Sequence, residues 1–177
     1  HLWDSVNMVL EMGIPETCAT QGNLYYWNAD QEVPDMWHVL FDYPKKQLAI
    51  TFNCGFHNAH VGEVAQYLGR DGTVEVSPKF CRFFEAEWKQ ENQEKIWKFN
   101  KANQGKFAVY PPDYDMKPDE LQVSSHFEDF INAVRTRQRP RCHEDRAFEE
   151  AATIMMSVQS YRQDRKVRWD PVKEEVV

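Results

Sequence analysis

Two residues at the start of the chain have the types and spacing that proton chemistry needs. His1 and Asp4 stand three apart, a spacing that puts both on one side of a helix. A histidine titrates near neutral pH and can take the proton of a hydroxyl. A carboxylate beside it can fix its tautomer or hold a substrate hydroxyl. A second group gathers further along: His38, Asn53, His57 and His60 fall on or just after two neighbouring apolar–polar runs. Three readings of that polar patch stay open at the level of sequence. The residues can be hydrogen-bonded surface groups, the wall of a substrate pocket, or part of a metal site. For the last, a lone His-x-x-His supplies too few converging ligands and no second shell.

Several other chemistries lack their patterns. Neither G-x-G-x-x-G nor G-x-x-x-x-G-K-[ST] occurs, and none of the seven glycines are grouped to cradle a phosphate, so this chain alone is not expected to bind a dinucleotide. There is no G-x-S-x-G and no cysteine in a helix-start setting, which removes the usual context for an activated nucleophile. Cys18, Cys54, Cys81 and Cys142 are far apart with no CxxC pair. That spacing argues against a disulfide scaffold or a zinc ribbon and leads us to expect a reducing, cytoplasmic setting. Cys18 and Cys54 read as small buried hydrophobes.

The net charge of −7 comes from scattered acidic residues with no basic stripe, so no nucleic-acid partner is expected. With 28% charged residues, no apolar run approaches the roughly 20 residues of a membrane span. The chain has 177 residues, 42% of them hydrophobic and 14% aromatic, enough for one packed domain.

The elements that must position these groups follow from periodicity. Residues 1–12 carry Leu2, Val6, Val9 and Leu10 at helical spacing, with Gly13 at the cap and Pro15 after it. A helix starting at the first residue leads us to expect an element upstream. From about 17 to 84 the period becomes two. Strands are expected at Thr17–Trp27, Met36–Tyr43, Leu48–His57, Glu63–Gly69, Thr73–Ser77 and Phe80–Phe84, with an Asp71-Gly72 hairpin.

The polar stretch 85–118 predicts an excursion with a short helix and a short strand near 107–110. Ser125 and Glu128 form a capping-box pattern before one helix, Glu144–Arg162 predicts another, and Lys166–Trp169 an edge strand. The sum is an α+β domain: an open, mainly antiparallel sheet with helices packed on one face. The strand at 36–43 is apolar on both sides, so an uncovered, aromatic-rich face is expected to be covered by the missing domain or by a second subunit, of which the subunit is favoured.

The opening His1-Leu2-Trp3-Asp4, the helix ending in Gly13-Ile14-Pro15, the Gly69–Val76 hairpin, the run Ser125-His126-Phe127-Glu128-Asp129-Phe130-Ile131-Asn132-Ala133-Val134-Arg135 with Arg139-Pro140, and the ending Arg165-Lys166-Val167-Arg168-Trp169-Asp170 together resemble the C-terminal domain of the glucose–fructose oxidoreductase / inositol dehydrogenase / MocA family. The resemblance spans nearly the whole chain and is weakest over 85–118. It implies a glyceraldehyde-3-phosphate-dehydrogenase-like C-terminal domain that shapes a substrate pocket and an oligomer interface. It also implies an N-terminal Rossmann domain, absent from this chain, that carries NAD or NADP in the parent protein.

By the same resemblance His1 matches the catalytic histidine of the family's D-x-x-x-H pattern and Asp4 its later, substrate-contacting aspartate. The first Asp of that pattern and the E-K-P lysine are not in this chain. Asn53, His57 and His60 are then expected to contact a carbohydrate-like substrate. The competing readings are a stand-alone interaction or dimerisation module using the open sheet face, and a hydrolase built on His57, His60 and nearby carboxylates, for which no positive pattern exists.

Overall fold

The computed structural model describes residues 2–27, 30–60, 62–86, 88–106, 108–117 and 125–177. In chain order the elements are α1 (Leu2–Leu10), β1 (Thr17–Asn23), β2 (Met36–Tyr43), a 3₁₀ turn (Pro44–Lys46), β3 (Leu48–Gly55), β4 (Ala65–Leu68), β5 (Gly72–Ser77), β6 (Phe80–Glu85), α2 (Gln90–Ala102), β7 (Tyr114–Met116), α3 (His126–Thr136), α4 (Glu144–Gln163), β8 (Val167–Asp170) and β9 (Glu175–Val176). The fold class is α+β with antiparallel sheets. Two compact units are present, one of His1–His60 with His126–Val177 and one of Val61–Ser125.

The first unit is built on a five-stranded sheet of order β3-β2-β1-β8-β9. The period-two pattern along β2 and β3 sets its register. Trp37, Val39, Phe41 and Tyr43 stand opposite Cys54, Phe52, Ile50 and Leu48, while His38, Leu40 and Asp42 face Asn53, Thr51 and Ala49. Directly opposed residues share a face, so the first set forms one side and the second set the other.

The first side is the core, where Val39, Phe41 and Tyr43 join Trp3, Met12, Cys18, Met156 and Val167. α1 and α4 cover it. Trp3 packs on Phe41 with ring centroids 4.7 Å apart and Tyr161 on Trp37 at 4.9 Å, and the Thr20 amide donates to Ser160 Oγ at 2.9 Å. Burial pushes the Cys18 thiol up to about 11, so it behaves as a small apolar core residue.

That register corrects the expectation of an aromatic-rich uncovered face. Alternation sends Trp37, Phe41 and Tyr43 under the helices, and the other side carries His38, Leu40, Thr51 and Asn53. Other differences are local. β1 stops at Asn23 rather than Trp27, because residues 25–27 turn to meet Asp35. β8 is not an edge, since β9 pairs outside it. α1 ends as Glu11 takes a positive φ of 47°, and the Asn7 carboxamide accepts the Met12 and Gly13 amides at 2.9 and 3.2 Å.

The second unit holds a sheet of order β4-β5-β6-β7. The hairpin falls where Asp71-Gly72 predicts it, but for a different reason. Gly72 does not sit at positive φ; a Cβ there would lie 2.5 Å from the Phe83 ring, so close packing excludes a side chain. The short helix expected in the polar stretch is the thirteen-residue α2. It is anchored by buried Asn92, whose Nδ2 donates to the Glu85 and Ala86 carbonyls at 2.8 and 3.2 Å. The strand expected near 107–110 appears instead as β7, and Phe107 lies outside the described residues. Among the described residues, no helix is long and apolar enough to cross a membrane.

Candidate functional site

The residues expected to act on substrate do not converge in one place. His1 lies outside the described residues. Asp4 occupies the first turn of α1, where exposed amides and the helix dipole favour a carboxylate. Asn53 lies on the uncovered side of the sheet, its Oδ1 2.9 Å from Nδ1 of His38. His57 follows β3 and lies against the Tyr26 ring, centroids 5.8 Å apart at 27°. The His60 amide donates to Asn58 Oδ1 at 2.9 Å. Among the described residues no hydrogen bond joins His57 or His60 to Asn53.

Asp4, by contrast, has company that spacing alone could not supply. Cys142, in the turn before α4, and Glu150, on α4, each bring a side-chain donor atom to it, and the three atoms lie within 4.8 Å of one another. Asn7, one turn after Asp4, approaches Glu150 Oε1 through its Nδ2 at 3.4 Å. Burial, followed by the charge and hydrogen bond of Asp4, raises the Glu150 carboxyl above its usual range despite Asn7. Cys142 is raised too, by burial and then by Asp4 and Glu150. The nearby Asp4 carboxylate adds to the effect of burial in opposing ionisation of the Glu150 carboxyl. The arrangement can therefore hold a proton at the start of α1 and release it at a pH above the ordinary carboxylate range. Oxygen, oxygen and sulfur are also ligand types for a divalent cation. Asn7 further lines a shallow depression with Met12, Lys46, His143 and Arg146.

A pH signature follows. A carboxyl whose pKa is raised on folding contributes stability below its unfolded pKa, and that contribution is lost as pH rises through the folded value. Glu150→Gln removes the loss while keeping the acceptor for Asn7. Its thermal midpoint should match wild type near pH 4 and exceed it increasingly towards pH 7. Parallel curves across that window would show that the Glu150 carboxyl is not raised on folding.

No family model matches the chain, and no curated protein matches it. Solved structures do share its fold. It resembles the candidate oxidoreductase YvaA from Bacillus subtilis with a TM-score of 0.62 at 12% identity, covering 96% of this chain and 50% of that one. A candidate oxidoreductase from Klebsiella pneumoniae gives 0.59 at 14% identity, covering 96% and 48%. An NAD-binding protein from Listeria innocua gives 0.60 at 12%, covering 95% and 49%. The chain thus spans about half the length of each of these proteins.

Proposed function

We propose that this chain is the substrate-binding and oligomerisation domain of an NAD- or NADP-dependent oxidoreductase acting on a sugar, cyclitol or related polyol. In this reading it works with an N-terminal Rossmann domain and pairs with further copies through the uncovered side of its sheet, in the cytoplasm. The observation that carries the reading is the fold shared over nearly all of this chain with about half of each of two candidate oxidoreductases and of an NAD-binding protein.

The chain's own residues do not fit a nicotinamide nucleotide, because its seven glycines form no phosphate-cradling group. The cofactor belongs to the other domain, and what remains here is the handling of substrate and proton. His1 is the base for the substrate hydroxyl. Asp4 holds that hydroxyl, and the Glu150 carboxyl beside it is a group that can take up or release a proton there. Asn53, His57 and His60 offer hydrogen bonds to further hydroxyls. A second reading, a stand-alone interaction module, is favoured by α3, whose Phe127 and Phe130 are 73% and 57% exposed.

The coding sequence ahead of His1 separates the two. The oxidoreductase reading expects a G-x-G-x-x-G fingerprint followed by E-K-P there. A start codon next to His1 would overturn it and leave the interaction module.

A further inference from the structure

At the far end of β1 and β3, aromatic rings stand out in solvent instead of joining the core. Tyr25, Tyr26 and Phe56 are 70%, 65% and 64% exposed and Trp27 is 41% exposed. Exposed rings on a loose loop would mean little, but the backbone that carries these is held from beneath. Asp35 is 1% exposed, and its carboxylate accepts the amides of Tyr25, Tyr26 and Trp27 at 3.0, 2.6 and 2.8 Å. Its own amide donates to the Asn23 carbonyl at 3.2 Å and its carbonyl accepts the Phe56 amide at 3.0 Å. One buried residue therefore ties together the end of β1, the three-ring turn and the end of β3. Burial pushes its carboxyl up, but the three amides and the neighbouring His57 outweigh this and hold it below the usual range. On that base Tyr26 stacks against His57 and meets Trp27 edge-on, centroids 5.2 Å apart at 90°.

We propose that Tyr25, Tyr26, Trp27, Phe56 and His57 form a stacking platform for the ring of a neutral carbohydrate. The negative face of an aromatic ring attracts the weakly positive C–H face of a pyranose. A backbone already tied down at Tyr25, Tyr26, Trp27 and Phe56 spares the ligand part of the cost of ordering the rings. Charge narrows the ligand class further. Residues 21–35 and 55–60 contain no Lys or Arg, and their charged residues are Asp30, Glu32 and Asp35. Phosphates, nucleic acids and anionic lipids would be repelled. His57, Asn58 and His60 supply hydrogen-bonding groups at the rim for hydroxyls. The choice of a sugar rests on the polyol reading above, whereas the tied-down backbone under the rings does not.

The test is titration of the complete protein with maltohexaose and with cellohexaose, followed by NMR of the ring resonances and by calorimetry. Binding with a Kd of about 1 mM is expected for at least one of them. Trp27→Ala and Tyr26→Ala should each weaken it about ten-fold, and Trp97→Ala, in α2, should leave it intact. Asp35→Asn should weaken it equally although every ring remains; if that variant misfolds, the two ring variants decide. Absence of binding to both sugars overturns the proposal. So do ring shifts that follow protein concentration alone, which would mark contact with a second copy, and saturation by tetramethylammonium in place of sugar, which would mark a cation cage. No cofactor enters the experiment, so a failure of hydride transfer in the complete protein leaves its outcome standing.

Discussion

Asp4→Asn in the complete protein should lower turnover by about 10²-fold or more, the usual cost of losing a positioned acid–base group. Asn keeps the size and one acceptor of Asp but cannot carry charge or take up a proton. In the structure Asp4 stands on the first turn of α1 beside Glu150 and Cys142, so the variant also frees Glu150 from a like charge. The Glu150 carboxyl should then titrate closer to its ordinary range, and the acidic limb of the pH–rate profile should move down. The change should fall on both kcat and KM, because Asp4 holds the substrate hydroxyl in the bound state as well as in the chemical step. Folding should change little, since a lost helix-dipole contact is offset by the relief of repulsion. A variant with turnover within two-fold of wild type would remove Asp4 from the proton path.

Met156→Ala should be among the damaging substitutions in the core, with a cost of about 2–5 kcal/mol. Met156 is fully buried on α4, among Trp3, Cys18, Val39, Phe41 and Val167. Truncation leaves a void between α4 and the sheet that rigid β-strands cannot collapse to fill. The same helix carries Glu150, so the loosened seat should also blunt the pH signature of the Asp4–Glu150 pair. Denaturant unfolding followed by the fluorescence of Trp3 and Trp37 in the first unit would measure it. A cost below about 1 kcal/mol would mean that α4 does not seal this face of the sheet.

How much of this was legible in sequence depends on the distance over which each signal acts. β2 and β3 could be read residue by residue, because alternation is local and the observed register obeys it. The same alternation buries the aromatics of β2, so the greasy outer face did not survive; counting apolar residues on both sides of one strand cannot tell which side the helices take. α2 was underestimated because its anchor is a buried asparagine rather than an apolar stripe.

Asp4 stood out by its spacing from His1, whereas Cys142 and Glu150 are brought to it only by the return of α4 across the sheet. No spacing rule reaches that far. Asp35 is a similar case: an acidic residue after Val33-Pro34 reads as a surface turn, and its three amide partners appear only once the chain has folded back.

In the proposed function this domain presents polyol hydroxyls to a nicotinamide held by a neighbouring domain. The most direct test is absorbance at 340 nm when the complete protein is mixed with NAD or NADP and a panel of aldoses, inositols and linear polyols. Reduction of the nicotinamide by at least one member of the panel is expected, with loss of that signal in Asp4→Asn. A complete protein that binds neither nucleotide and gives no signal with any polyol would contradict that function.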